Sequence, residues 1–344
     1  MTIPVFADVD TGVDDAMALV YLLASADADL VGIASTGGNV DVDQVCRNNL
    51  GLLQLCGATG IPVSRGASRP LAAPMRTAED THGPAGLGYA ELPSTTRQLT
   101  SYDAAEAWVR AAREHPGTLV GLVSGPLTNL ALALRAEPDL PGLLRRLVIM
   151  GGSFEYRGNT TPVAEWNVSV DPEAAAEVFD AWGRAATPES ATKGSGPGSG
   201  TGNLPIVCGL NLTENVVMTP AIMRRLAAAA GSTAAEINPL IRVLEDAMRF
   251  YFEFHEHQGE GYLAHLHDPL AAAVALDPGL IRTRAATVAV ELTGTLTRAM
   301  TIADWSGHWG RRPNAEVGVE VDAGVFFERF IDRVGPFARR CAHS

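Results

Sequence analysis

The stretch Ile3-Pro-Val-Phe-Ala-Asp8-Val-Asp10-Thr-Gly12-Val-Asp14-Asp15-Ala-Met-Ala-Leu-Val20 decides the fold. A short apolar run ends in carboxylates, a Thr-Gly turn follows, and two more carboxylates open a run with helical spacing (Ala16, Leu19, Val20, Leu23). The pattern predicts strand, tight turn and helix. Asp8 and Asp10 lie two apart on the strand and are expected to point to the same side. Asp14 and Asp15 fall in the first helical turn, where the positive end of the helix dipole favours anions.

Capping explains one or two acidic residues at a helix start, not four in eight positions. Two carboxylates about 4 Å apart repel by about 4 kcal/mol at an effective dielectric near 20. No Lys or Arg precedes Arg47. A cation from outside the chain is therefore expected, and oxygen ligands favour Ca²⁺ or Mg²⁺ over Zn²⁺.

Working outward, short apolar runs alternate with helical patterns. Strands are expected at 30–35, 61–64, 118–123, 147–150 and 205–208, and helices at 43–57 and 102–115. Residues 65–100 read as a long loop carrying His82-Gly83, and such loops tend to be lids or binding loops. Helical stretches follow at about 220–230 and 237–257. Strand-like segments come at 286–292, 299–302 and 316–321, with a last helix near 326–333. The alternation implies an α/β fold: a mostly parallel, doubly wound, Rossmann-like sheet with helices on both faces. The late strands imply an antiparallel or mixed C-terminal extension.

In such sheets ligands bind beyond the carboxyl ends of the strands. Asp8 to Asp15, Asn39, Ser124 and the segment Asn159 to Asn167 each follow a strand or start a helix, so they are expected on one rim. Asp171-Pro172 and Asp268-Pro269 both read as an N-cap with proline at the first helical position. His255, His257, His265 and His267 alternate like strand residues, but no acidic or cysteine partner sits at a recognised zinc spacing.

The 344 residues, 47% hydrophobic and 19% charged, suffice for a large core, read as one domain over 1–344 with a low-complexity, flexible insertion at 186–203. A net charge of −13 without a basic patch argues against nucleic acid as a partner. Four scattered cysteines suit a reducing compartment. There is no signal-peptide pattern and no membrane-length apolar run, so a cytoplasmic location without membrane contact is expected.

Asp8-Val-Asp10-Thr-Gly-Val-Asp14-Asp15-Ala, Gly38-Asn39, His82-Gly83, Gly125-Pro-Leu-Thr-Asn129, Met150-Gly-Gly, Glu165-Trp-Asn167 and His267-Asp268-Pro269 occur in this order. Together they resemble the nucleoside hydrolases of the inosine–uridine-preferring type over nearly the whole chain. Thr11 stands where proline is usual. The resemblance implies hydrolysis of the N-glycosidic bond of ribonucleosides with one Ca²⁺. Its implied ligands are Asp10, Asp15, the backbone carbonyl of Ser124 and Asp268, with the ribose 2′- and 3′-hydroxyls completing the shell.

The same resemblance implies that Asp14, Asn39, Asn159, Glu165 and Asn167 bind the sugar. Asp10 would be general base to a metal-activated water, and His267 would protonate the leaving base. His82 would lie over the base from the flexible loop. Trp166, Tyr262 and His265 are candidate base contacts. Relatives are often homodimers or homotetramers. Base preference stays open. Two rivals remain. Asp8-Val-Asp10-Thr11-Gly12 also resembles the nucleophile motif of haloacid-dehalogenase-type phosphatases, although the sole lysine, Lys193, lies in the insertion. The other rival is a non-catalytic nucleoside- or ribose-binding protein on the same fold.

Overall fold

In a computed structural model, which describes residues 2–58, 60–185, 203–233 and 235–342, the opening stretch forms the strand and helix expected of it. All but the last residue of the 186–203 insertion lies outside the described residues. The strands are β1 (Ile3–Val9), β2 (Ala28–Ser35), β3 (Val63–Arg65), β4 (Val120–Val123), β5 (Arg146–Met150), β6 (Ile206–Cys208), β7 (Val217–Met218), β8 (Ala264–His265), β9 (Ile281–Val290), β10 (Thr301–Asp304) and β11 (Ala315–Val321).

Nine of them form one sheet in the order β10-β9-β11-β6-β5-β4-β1-β2-β3. From β3 to β6 every pairing is parallel, whereas β9 pairs antiparallel with both β10 and β11. The run β3-β2-β1-β4-β5-β6 is the strand order of dinucleotide-binding sheets, with its switch point between β1 and β4. The expected parallel sheet with an antiparallel C-terminal extension is what the chain forms. A separate ribbon, β7 with β8, pairs Val217 with His265.

Side chains alternate across β1. Val5, Ala7 and Val9 enter the apolar layer built with helices Val13–Ala24, Pro239–His257, His267–Leu276 and Ala323–Cys341. Phe6 enters the opposite layer, with Trp108 and helices Ala104–Glu114, Thr128–Ala136 and Pro172–Ala185. Burial on both faces explains why β1, β4 and β5 read as continuous apolar runs.

Helix His267–Leu276 (HDPLAAAVAL) is buried at all ten positions. A helix apolar all round belongs in the interior, and its four alanines let it lie close against Val13–Ala24. Leu270 is fully buried there; truncation to Ala would cost about 2–5 kcal/mol.

Local departures from expectation have physical reasons. The last helix runs Ala323–Cys341, past the expected end near 333, because its buried face continues through Val334, Gly335 and Ala338. The loop 65–100 contains the short helix Glu79–His82. His255 and His257 lie on a helix, not a strand: the period of 3.6 set by Leu244, Met248, Tyr251 and His255 outweighs the local alternation. All four cysteines are free, and no helix among the described residues is long and apolar enough to cross a membrane.

Candidate active site

β1 and β4 end side by side at the switch point, and the chain leaves each through a turn into a helix. Asp10 follows β1, and Asp14 and Asp15 open helix Val13–Ala24 as expected. Ser124 follows β4. Helix His267–Leu276 enters from the neighbouring layer with Asp268 in its first turn. Asp14, Asp15 and Asp268 each offer a carboxylate oxygen, all within 4.8 Å of one another.

Hydrogen bonds hold these carboxylates in place. Asp15 accepts from the Gly12 backbone (2.9 Å), the Asn39 side chain (3.2 Å) and the Ser124 hydroxyl (2.6 Å). Asp10 accepts from the Asn39 backbone at 2.8 Å through Oδ2, while its Oδ1 is buried with no partner. Two glycines are dictated by close approach. A Cβ on Gly38 would fall 2.1 Å from Asp10 Oδ2, and one on Gly12 would fall 2.5 Å from His82 Nδ1.

Burial, then mutual repulsion, pushes the carboxyls of Asp10 and Asp268 well above the usual range. Asp14 is pushed up to about 7 by burial and then by Asp15. Burial also raises Asp15, against the donors that hold it. The charges raising these groups are one another.

The two Asp-Pro pairs are not equivalent. Asp171 caps its helix through Ala174 N–H (3.1 Å) and also accepts from Thr128 and Leu71. Asp268 caps nothing: Leu266 occupies the N-cap, and no side chain caps that end. Its carboxylate is turned to the cluster instead.

Asp8 departs from expectation. Three donors consume it: Thr36, Trp108 Nε1 (2.7 Å) and Asn129 (2.9 Å). Two residues along a strand is about 6.6 Å, so Asp10 clears the sheet edge while Asp8 stays within the layer of Phe6 and Trp108. Burial raises Asp8 to about 6. It is a tie between helices and takes no place on the rim.

A cavity of about 520 Å³ opens over the cluster, a size suited to a small ligand. Asp14, Asn39, His82, Ser124, Asn159, Glu165, Trp166, Asn167, His265, His267 and Asp268 all line it. Asp10 and Asp15 lie fully buried behind that lining. Asn39 Oδ1 and Asn167 Oδ1 are buried acceptors without partners. Asn167 spends its amide on the carbonyls of Ser124 (2.8 Å) and Met150 (3.2 Å). Glu165 accepts three backbone N–H groups, from Gly152, Asn167 and Val168, and caps helix Trp166–Val170; burial raises it to about 7. Asn159 is exposed at the mouth, and Arg76 stacks over Trp166 at 5.4 Å.

His82 is not a loop tip. It is buried, and its Nδ1 accepts from the Val13 backbone at 3.2 Å. Its ring packs 5.5 Å from Tyr251. Burial, then His255, lowers its pKa to about 3, so it is neutral with its proton on Nε2. His267 is likewise buried and held well below the usual range, by burial first. Tyr262 packs on Phe252 and is not among the cavity-lining residues.

The sequence reading passed over Tyr251, Thr213 and Glu260. Tyr251 could have been found, because it continues the buried face of its helix one turn before His255.

The oxygen-only cluster, with a buried carboxylate oxygen left unpartnered, fits a hard divalent cation. The sequence profile of the inosine–uridine preferring nucleoside hydrolases matches residues 5–328. The chain belongs to the inosine–uridine preferring nucleoside hydrolase family. As a nucleoside hydrolase, it acts on the N-glycosidic bond of ribonucleosides, and metal dependence is typical of the family.

The pyrimidine-specific ribonucleoside hydrolase RihA of Enterobacter sp. (strain 638) is 35% identical over 99% of this chain and 100% of its own length. RihA of Salmonella newport (strain SL254) is 34% identical over 98% of this chain and 100% of its own. The purine-preferring ribonucleoside hydrolase from Gardnerella vaginalis superposes with a TM-score of 0.85 at 29% identity, over 98% of this chain and 99% of that one. Membership in this family sets the phosphatase reading aside.

Proposed function

We propose that this nucleoside hydrolase is Ca²⁺-dependent, with the ion held by Asp10, Asp15, Asp268 and the backbone carbonyl of Ser124. One observation carries the reading: four buried carboxylates converge at the switch point, and among the described residues no cationic side chain is paired with them. Donors that are all oxygen select Ca²⁺ or Mg²⁺, and a shell enlarged by a vicinal diol suits the six to eight ligands of Ca²⁺. Held by these residues, such an ion would supply a water of lowered pKa and positive charge opposite the sugar hydroxyls.

The chain's own groups supply the rest. Asn39 Oδ1 and Asn167 Oδ1, unpartnered and buried, accept from sugar hydroxyls, as does Asp14. Asn159, Glu165 and Trp166 complete the wall, with Glu165 acting chiefly by fixing Asn167. Asp10 Oδ1 takes the proton of the attacking water. Cleavage at C1′ passes through an oxocarbenium-like state, which the surrounding carboxylates stabilise. His267, neutral like His82, offers a ring N–H as a hydrogen bond to the departing base, and His82, protonated on Nε2, stands beside it. The RihA relatives act on pyrimidine ribonucleosides, so uridine and cytidine are the substrates proposed first.

A reducing-sugar assay over uridine, cytidine, inosine and adenosine, with and without chelator, tests this. Ribose release that chelator abolishes and Ca²⁺ restores is the expected result. Ribose release that chelator leaves unchanged would contradict the Ca²⁺ reading.

A further inference from the structure

Beside the aspartate cluster, the cavity wall carries a second group of donors of different chemistry. His255 sits on the buried face of helix Pro239–His257, Glu260 lies in the turn that follows, and His265 is on β8. The turn after the helix, closed by the Glu260 N–H donating to the His255 carbonyl at 3.0 Å, sets Glu260 beside His255, and β8 is held by its pairing with β7. Glu260 Oε2 lies 2.8 Å from His255 Nδ1 and 3.7 Å from His265 Nε2. One ligand atom from each residue lies within 4.8 Å of the others. All three line the cavity.

We propose that His255, Glu260 and His265 form a second cation site, built for a borderline-soft divalent ion of the zinc class and open on its cavity side. Tetrahedral zinc with bonds of about 2.0–2.1 Å sets its donors roughly 3.3 Å apart. The two measured separations bracket that value. Two imidazoles and one carboxylate, with the remaining position open, is the donor set of reactive zinc sites. Nitrogen ligation also separates this site from the oxygen-only cluster.

Two further observations favour an ion over a plain histidine–glutamate hydrogen bond. That bond uses only His255, yet His265 is brought to the same oxygen. The second nitrogens, His255 Nε2 and His265 Nδ1, are buried with no partner, so neither ring is committed elsewhere. Other charged or titratable groups also face the cluster. Arg157 takes Glu260 Oε1 at 3.1 Å and leaves Oε2 free, His267 lies 5.9 Å from His265, and Tyr251 packs 4.8 Å from His255. Burial keeps His255 neutral, and Glu260, despite its own desolvation, is held ionised by His255. These are the protonation states a metal requires.

The test titrates Zn²⁺ alone against a chromophoric chelator, using chelator-stripped protein resupplied with saturating Ca²⁺ and without nucleoside. The outcome is thus independent of the proposed hydrolysis. One Zn²⁺ per chain is expected. Glu260→Gln and His265→Asn should each weaken uptake by more than roughly tenfold, the loss that even an outer-shell change causes. Asp15→Asn, in the other cluster, should leave uptake intact. Absence of uptake would overturn the site, as would uptake that survives Glu260→Gln and disappears with Asp15→Asn. Co²⁺ in the unaltered protein gives a second reading. Paramagnetically shifted imidazole resonances from two histidines are expected, and their absence would contradict the assignment.

Discussion

The Thr213 hydroxyl lies 2.7 Å from Nδ1 of His267, in the interior. His267 is neutral, so one ring nitrogen carries the proton and the other does not. A hydroxyl that donates to Nδ1 leaves the ring N–H at Nε2, where it serves as a hydrogen-bond donor to the departing base. Thr213→Val should lower kcat for uridine by roughly tenfold, part of the roughly 10²–10³ that a donor positioned on developing charge supplies. A nitrophenyl riboside, whose leaving group needs no proton, should lose far less. Equal losses on both substrates would exclude the role.

Asp268→Asn removes one charge from a cluster that repels itself. In chelator the variant should melt higher than the unaltered protein, because burial and repulsion no longer oppose folding at that position. With Ca²⁺ the order should reverse. An ion at about 100 times its dissociation constant adds about 2.7 kcal/mol to the unaltered protein. Differential scanning fluorimetry with and without Ca²⁺ reads both signs.

The pH dependence follows from the same groups. Asp8 at about 6, and Asp14 and Glu165 at about 7, lie above the ordinary carboxylate value of 3.8–4.5. A raised acid holds its proton in the folded state, so its contribution is complete below about pH 4 and is lost as pH rises through 6–7. His82, lowered to about 3, acts oppositely: its contribution is present above about 6.5 and is lost as pH falls toward 3. Ca²⁺ binding requires the carboxylates deprotonated. The melting-temperature gain on adding Ca²⁺ should therefore grow from pH 4 to pH 7. A gain independent of pH would contradict the cluster as the binding site.

The unpartnered acceptors of Asn39 and Asn167 predict selection for the full ribose. A buried site made to bond hydroxyls rejects an analogue lacking one by roughly 10⁴–10⁵. Since 2′-deoxyuridine keeps the 3′-hydroxyl, its kcat/KM should fall by roughly 10³ or more relative to uridine. Parallel time courses decide this, and similar rates would remove the sugar-clamp assignment.

Much of this was legible in the chain because local chemistry and fold agree. Four carboxylates in eight positions after an apolar run have few structural explanations, and the structure gathers three of them with Asp268. Asp268 could not be separated from Asp171 by pattern, since both precede proline; only the position of Leu266 at the N-cap distinguishes them. Asp8 misled because strand alternation gives the face of a residue but not its depth. Thr213, on the short helix Leu210–Thr213, and Glu260, in a turn, gave no periodic sign, and each gains its role from a partner that only the tertiary fold supplies.

The central claim is that the aspartates at the end of β1 act through a bound Ca²⁺. Uridine turnover by chelator-stripped protein, followed while Ca²⁺ is added back and its binding is counted, tests this most directly. Turnover should rise in step with one Ca²⁺ per chain and level off when that site fills. An unchanged rate in the stripped protein, or full binding without any recovery of ribose release, would contradict it.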